Sequence, residues 1–200
     1  MSNINTISHP SGKRHPGDPS KLRLFITFLV LTGHLVSAAQ GASSREYELK
    51  AVFLFNFTQF VEWPASSFSS NQEPVIIGIL GKNPFGAYLE EIVSGEKVNG
   101  HAVTVQYYNN VEEIKGCHVL FINLADTKKT ERVVEALNGR NILTVSDAPG
   151  FPEQGGMVRF FTRDNKIKLQ VNLEASRAAS LTISSKLLRL AEIYTPHKNS

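Results

Sequence analysis

Cysteine is almost absent. Cys117 is the only one in the chain, so no internal disulfide can form and thiolates alone cannot build a zinc site. It stands at the entry to an apolar run and reads as a buried small hydrophobe, with a disulfide between two copies of the chain as the alternative. Nucleophile motifs are missing too: serines are many, but none sits in GxSxG. Beyond residue 42 only His101, His118 and His197 remain, and no two have the spacing of helix-borne metal ligands. His101 follows a turn and is expected in solvent. His118 begins a strand and is expected to be structural. Glu90-Glu91 and Glu112-Glu113 are sequence neighbours, so on helices the members of each pair diverge. No catalytic, cofactor-binding or metal-binding set emerges, and no enzyme is expected.

A membrane-spanning run is lacking as well. Leu24 to Val36 is apolar except for Thr27, Thr32, Gly33 and His34, and it falls short of the ~20 residues a bilayer needs. Lys21 and Arg23 precede it; Ser37, Ala38, Ala39, Gly41 and Ala42 follow. A basic flank, a short apolar core and small residues make a secretory signal peptide cleaved at about 38–42, and an uncleaved anchor helix is the alternative. Met1 to Ser20 is polar and breaker-rich, either a long basic n-region or an upstream start. The expected division is a leader over 1–42, a folded domain over 43–195 and a polar tail over 196–200, with the mature chain in the periplasm. Losing Lys13, Arg14, Lys21, Arg23 and Asp18 takes 21 basic and 18 acidic residues to 17 of each. A neutral domain lacks the electrostatic footprint of nucleic-acid binding.

Against these absences stands one concentration of aromatics, EYELKAVFLFNFTQFVEWP from Glu46 to Pro64. It reads as a helix with Leu49, Val52, Phe53, Phe57, Phe60 and Trp63 on one face. Tyr47, Leu54, Phe55 and Val61 point elsewhere, among Glu48, Lys50 and Glu62. A helix apolar nearly all round is either sandwiched inside the protein or touches a partner. Phe55, Phe57, Phe60 and Trp63 are the candidate partner surface. Asn56 sits within the aromatic stripe, where a buried amide left unpaired would cost ~1–3 kcal/mol, so it is expected to hydrogen-bond to a neighbouring loop or a partner helix.

Downstream, VIIGIL (Val75–Leu80) and HVLFINL (His118–Leu124) read as strands buried on both faces. Between them come a helix over 85–94, with Asn83 as cap and Pro84 as first residue, and an alternating strand at Val103–Tyr107. Val111–Lys115 reads as one helical turn. Asp126 or Thr127 caps a helix over 128–137, and Ile142–Val145 is a short strand. Met157–Thr162 and Lys166–Asn172 form a hairpin around Arg163-Asp164-Asn165. A single long helix is expected from Leu173 to Tyr194. The alternation predicts a single compact α/β domain: a mainly parallel sheet, an antiparallel hairpin at one side, and helices on both faces.

The loop Gly81-Lys82-Asn83-Pro84-Phe85-Gly86 follows a strand and opens a helix, where backbone N–H groups can hold an anion. It is neither GxGxxG nor GxxxxGK[ST]. Gly81, Lys82, Asn83 and Gly86 are the candidate ligand loop, and a tight strand-to-helix turn is the alternative.

Four stretches together resemble the YfiR-like periplasmic proteins: KAVFLFNFTQFVEWP (Lys50–Pro64), IGILGKNPFG (Ile77–Gly86), GCHVLFI (Gly116–Ile122) and LEASRAASLTISSKLLRLAEI (Leu173–Ile193). The resemblance implies a compact α/β domain with no catalytic residue. It also implies a regulatory role: holding an inner-membrane diguanylate cyclase inactive through the cyclase's periplasmic part, with an outer-membrane lipoprotein able to sequester the regulator. Cyclic di-GMP and biofilm formation would follow that switch. A membrane sensor kinase as target, a homodimer, and a periplasmic small-ligand sensor remain open. Two departures stand out. Some members have paired cysteines, whereas Cys117 is alone here, and Ser180 occupies a position where glycine is often expected.

Overall fold

A computed structural model describes residues 44–196. The leader and its cleavage site, and residues 197–200 of the tail, lie outside the described residues. By its own contacts the chain divides into Met1–Ala42 and Ser43–Ser200, and every described residue belongs to the second unit.

Helix α1 runs through residues 44–60. It passes directly into β1 (Val61–Glu62), three residues before the expected end at Trp63-Pro64, because β1 pairs antiparallel with β9 (Thr182–Ile183). A loop with one 3-10 turn (Ala65–Ser67) leads to β2 (Val75–Gly81), α2 (Tyr88–Val93), β3 (Lys97–Val98) and β4 (His101–Tyr108). A second 3-10 turn (Val111–Glu113) precedes β5 (Val119–Asn123), α3 (Thr127–Ala136) and β6 (Leu143–Ser146). Then come β7 (Val158–Arg163), β8 (Lys166–Val171), α4 (Leu173–Ala178), β9, α5 (Ser185–Leu188) and β10 (Ala191–Ile193).

The main sheet has the order β10-β8-β7-β6-β5-β2-β4-β3. Its five middle strands, β7 to β4, are parallel. β8 is antiparallel to β7, β10 is parallel to β8, and β3 is antiparallel to β4. The single α/β domain, its parallel sheet and its hairpin follow the sequence reading. Asp164 and Asn165 have φ of 51° and 58°, the left-handed pair that a two-residue type I′ turn demands.

Each sheet face carries its own core. Ile77, Ile79, Val119, Phe121, Leu143, Val145, Val158 and Phe160 bury one face beneath α1. Ile76, Leu80, Leu120 and Ile122 bury the other beneath Val133, Val134 and Leu137 of α3. Asp126 caps α3, its carboxylate accepting from the amides of Lys128 and Lys129 at 2.9 and 3.4 Å. Gly78 sits where a Cβ would meet Cys117 Sγ and the Tyr108 ring at 2.7 Å, so only glycine lets Tyr108 lie across β2. Cys117 is buried and unpaired, and burial pushes its thiol up to about 12. That keeps it from the thiolate chemistry that disulfide exchange requires.

Two expected helices are corrected. Asn83 does not cap α2, which starts at Tyr88 behind Ala87. Its side chain instead accepts from the Phe85 amide at 2.9 Å and donates to the Gly86 carbonyl at 3.0 Å, and Gly86 at φ 59° turns the chain out of helical geometry. The long C-terminal helix is also absent. α4 stops after one and a half turns in a Schellman motif, with the Leu181 amide on the Ser176 carbonyl and the Ser180 amide on the Arg177 carbonyl, both at 2.9 Å. The chain is then drawn off into β9, α5 and β10, where backbone pairing with β1 and β8 outweighs the helical periodicity.

Ser180 therefore occupies the left-handed position, φ 57°, where a Cβ costs roughly 1–2 kcal/mol. Ser180→Gly is expected to stabilise the domain by about 1 kcal/mol, after allowance for glycine's freedom in the unfolded chain. The melting temperature should rise by about 2–4 °C in calorimetry. An unchanged or lower value would contradict the left-handed assignment.

Candidate interaction surface

α1 presents three kinds of surface. Lys50, Ala51, Leu54, Phe57 and Thr58 form the buried stripe, continued by Val61. Phe53 and Phe55 flank it, half-buried against the same core. Leu49, Val52 and Asn56 point outward, Leu49 47% exposed and the other two half-buried, while Phe60 packs half-buried against the core at the margin of that side. Leu54 therefore faces the core and Leu49 faces away, the reverse of the sequence reading. The helix is rotated because Lys50, a charged residue, belongs to the buried stripe.

Lys50 is only 3% exposed. Its ammonium lies 2.7 Å from Glu46 and 2.8 Å from Asp147, which stands just beyond the carboxyl end of β6. The Tyr47 hydroxyl donates to the same Asp147 oxygen at 2.9 Å, and the Lys50 ammonium is 4.3 Å from the Tyr47 ring centroid. Burial and the Asp147 charge push the Tyr47 phenol above its ordinary range. This network pins the start of α1 to the sheet. The signal for it in the sequence is the spacing Tyr47-Lys50-Leu54-Phe57-Val61, which places Lys50 on a continuous stripe.

The far end of α1 is fixed by an aromatic stack. Phe68 lies between His101 and His118, with ring centroids 4.3 and 4.5 Å away, and Trp63 meets His118 edge-on at 5.8 Å. His101 is thus half-buried rather than solvated, with its Nδ1 at 2.6 Å from the Glu73 carbonyl. His118 is 2% exposed. Its Nδ1 accepts the Ile76 amide at 3.1 Å, so the ring proton sits on Nε2, which finds no partner among the described residues.

Protonating His118 would set two N–H groups against each other and place a charge in the core. Burial lowers its pKa below 6.5, with the Glu73 charge opposing and His101 adding to the shift. For a base whose folded value is depressed, the unfolded state binds more protons below the ordinary value. The associated stability is present above about pH 6.5 and is lost as pH falls through that value. Melting temperature is predicted to fall between pH 7 and pH 5, and His118→Gln should flatten that decline. An equal slope in the variant would contradict the assignment.

The four aromatics singled out in the sequence do not form one surface. Phe57 is fully buried and stacks on Phe160 at 5.9 Å. Trp63 lies beyond the helix against His118. Phe55 and Phe60 are half-buried on opposite flanks, about 140° apart at 3.6 residues per turn. Asn56 lies on the outward side, half-exposed, and so needs no protein partner. What the fold offers instead is the outward row Leu49, Val52 and Asn56, with Phe53 and Phe60 at its margins. Among the described residues, no backbone pairing or aromatic stack covers the middle of that row.

The candidate ligand loop lies at the ends of β2 and β5, where the chain reverses its direction across the sheet and open α/β folds bind ligands. Here the crevice is laced shut. The Lys82 amide donates to the Asn123 carbonyl at 3.3 Å, and the Asn123 side chain donates to the Lys82 carbonyl at 2.8 Å. A Cβ at Gly81, φ 92°, would stand 2.4 Å from the Asn123 oxygen. Asn83 is engaged within the loop, and Lys82 is exposed. A cavity of about 380 Å³ adjoins the loop, lined by Tyr47, Glu48, Phe85, Gly86, Tyr88 and Glu91 among others. Among the described residues, no three His, Cys, Asp or Glu side chains converge as a metal site, and no helix is long and apolar enough to cross a membrane.

The structure is a single compact α/β domain whose first helix is clamped at both ends and carries Leu49 and Val52 on its outer side. The family model for YfiR/HmsC-like proteins matches residues 47–192, and the chain belongs to that family, whose members are periplasmic regulators in diguanylate cyclase signalling. No curated protein matches the chain.

Proposed function

We propose that the mature chain is an exported regulatory protein. It holds an inner-membrane signalling protein, a diguanylate cyclase in the first instance, in its inactive state by binding that protein's periplasmic part. The observation that carries this reading is the outward row of α1 on a chain of this family. The row sets Leu49 and Val52 beside Asn56 and is mounted by the Lys50 network at one end of α1 and the Trp63–His118–Phe68 stack at the other.

The energetics are modest. Swinging a two-state target from 1:99 to 99:1 needs a ten-thousandfold preference for one state, or ~5.5 kcal/mol. At ~25 cal/mol per Å² that preference corresponds to roughly 220 Å² of apolar contact made in one state only. This is well under the ~800 Å² per partner that a standard interface buries. The half-exposed Phe60, Phe53 and Phe55 fit the role of anchors at the rims of that contact. An outer-membrane lipoprotein, or a second copy of the chain, that occupied the same row would free the target.

The test is capture of the periplasmic segment of an inner-membrane diguanylate cyclase from the same organism, with cyclase output measured in parallel. A small ligand near Gly81, Lys82, Asn83 and Gly86 is the second reading, supported by the adjoining cavity. It predicts a rise in melting temperature with metabolite and no dependence on Leu49.

A further inference from the structure

The sheet face opposite α1 changes character across its width. It is apolar under α3, and β6 then contributes Thr144 and Ser146. On β7 and β8, Val158, Phe160, Leu169 and Val171 point into the α1 core. Alternation therefore puts Arg159, Phe161, Arg163, Lys166, Lys168 and Gln170 on the opposite face. Register sets Phe161 beside Lys168 and Arg163 beside Lys166. The two strands carry four cations and no acid. The Arg159 and Arg163 guanidiniums lie 5.9 and 5.1 Å from the Phe161 ring. One carboxylate reaches this face: Glu192 of β10, paired with both nitrogens of Arg163 at 2.5 and 3.2 Å. Just before β10, at the margin of the sheet, Leu190 is 66% exposed.

β7 and β8 pack chiefly on each other and on β6 and β10, and Arg159 Nε and Gln170 Oε1 are buried at the β6 side of this face. Arg163 and Lys166 are exposed, while Phe161 and Lys168 are half-buried. None of these residues lines any of the cavities beside α1, α3 or α4. Acidic side chains gather at the other end of the same strands, where Glu131, Glu135 and Glu174 border a groove between α3 and α4. Asp164 stands in the turn itself, and Glu192 is paired with Arg163.

We propose that this face is a peripheral binding surface for anionic phospholipid. A domain neutral in total but polarised along β7 and β8 is oriented by a charged surface even though its net attraction is small. The cations are spread flat over two adjacent strands. An acidic peptide would want a groove or a free strand edge, whereas a planar array suits a planar surface. Each cation close to an anionic bilayer is worth about a fivefold gain in binding. The half-exposed Phe161, with exposed Leu190 just before β10, supplies the apolar contact that accompanies such attraction. The surface lies across the sheet from the outward row of α1, so both can be engaged at once. Nothing in it depends on which protein partner the domain has.

The test is co-sedimentation of the unit Ser43–Ser200, which contains both cores, with phosphatidylglycerol/phosphatidylethanolamine vesicles and with phosphatidylcholine vesicles. The wild-type unit is expected on the anionic vesicles only, and to leave them at about 0.5 M salt. Lys166→Glu with Lys168→Glu should weaken binding at least about tenfold. Lys97→Glu with Lys115→Glu changes net charge equally and should leave binding within about twofold, since Lys97 is on the far edge strand β3 and Lys115 stands before β5, at the opposite end of the strands. If the first pair fails to fold, Lys166→Glu alone, at an exposed position, carries the comparison. Absence of anionic-vesicle binding, equal binding to phosphatidylcholine, or equal loss in both charge-reversed pairs would each overturn the proposal. Retention by immobilised poly-glutamate but not by vesicles would assign the face to an acidic protein segment and overturn it as well.

Discussion

Phe57→Ala is expected to destabilise the domain by about 4 kcal/mol, the range for removing a buried aromatic ring from a packed core. Phe57 is fully buried, stacked on Phe160 at 5.9 Å and tilted against Phe53 at 6.4 Å. Phe160 in turn touches Phe53 and Phe121, so one ring removed from α1 leaves a hole bordered by the sheet's central strands. The fall in melting temperature should exceed about 8 °C. Phe55→Ala, at a half-buried position, should cost less than half as much. Equal losses from the two variants, measured by urea unfolding with unchanged slope, would show that the buried stripe of α1 has been placed wrongly.

The second large effect concerns the outward row. Leu49→Asp combined with Val52→Asp is predicted to reduce partner binding by more than about a hundredfold. A carboxylate forced into a dry interface must be desolvated without a partner, a penalty of several kcal/mol per ion. In the free protein the same changes cost little, because Leu49 is 47% exposed and Val52 lies on the outward side. Melting temperature should therefore fall by only a few degrees, at about 0.5 kcal/mol of helix propensity per aspartate. The two predictions separate core from surface on one helix: Phe57 governs folding, and Leu49 with Val52 governs binding. A double variant that melts like Phe57→Ala would remove the outward row from consideration as a surface.

Much of the fold is legible in the sequence because the informative signals are local. Val75–Leu80 and the run after His118 have too few polar residues to be anything but strands covered on both faces. Asp126 has the geometry of a cap, and Asp164-Asn165 has the chemistry of a tight turn. The failures share a different origin. Leu173 to Tyr194 contains no proline or glycine and keeps a helical period, so nothing local reveals that β1 and β8 will recruit Thr182–Ile183 and Ala191–Ile193 as strands. Ser180, which stands out in the sequence only as an unusual replacement for glycine, is the residue at which the helix ends.

The candidate surface is legible only as a region. On a helix apolar on every side, aromatic residues do not say which of them face the sheet; that is decided by Lys50, whose partner Asp147 lies 97 residues away. A lysine is expected on a solvated face, and its burial here turns the helix so that Phe57 enters the core and Leu49 leaves it. The shelter of His101 is hidden for a similar reason, since the Phe68 ring that covers it comes from a loop far earlier in the chain. The lacing of Gly81 and Lys82 to Asn123 is equally invisible, because it joins the ends of two strands that are neighbours only in the folded sheet.

The most direct measurement is binding of the Ser43–Ser200 unit to the purified periplasmic segments of the inner-membrane diguanylate cyclases of the same organism, together with cyclase activity of any full-length membrane protein so bound. Binding that lowers cyclic di-GMP synthesis, and that Leu49→Asp with Val52→Asp abolishes while Lys166→Glu leaves it intact, is the predicted result. Binding that survives the α1 double variant, or cyclase activity indifferent to a saturating amount of the wild-type unit, would contradict the account.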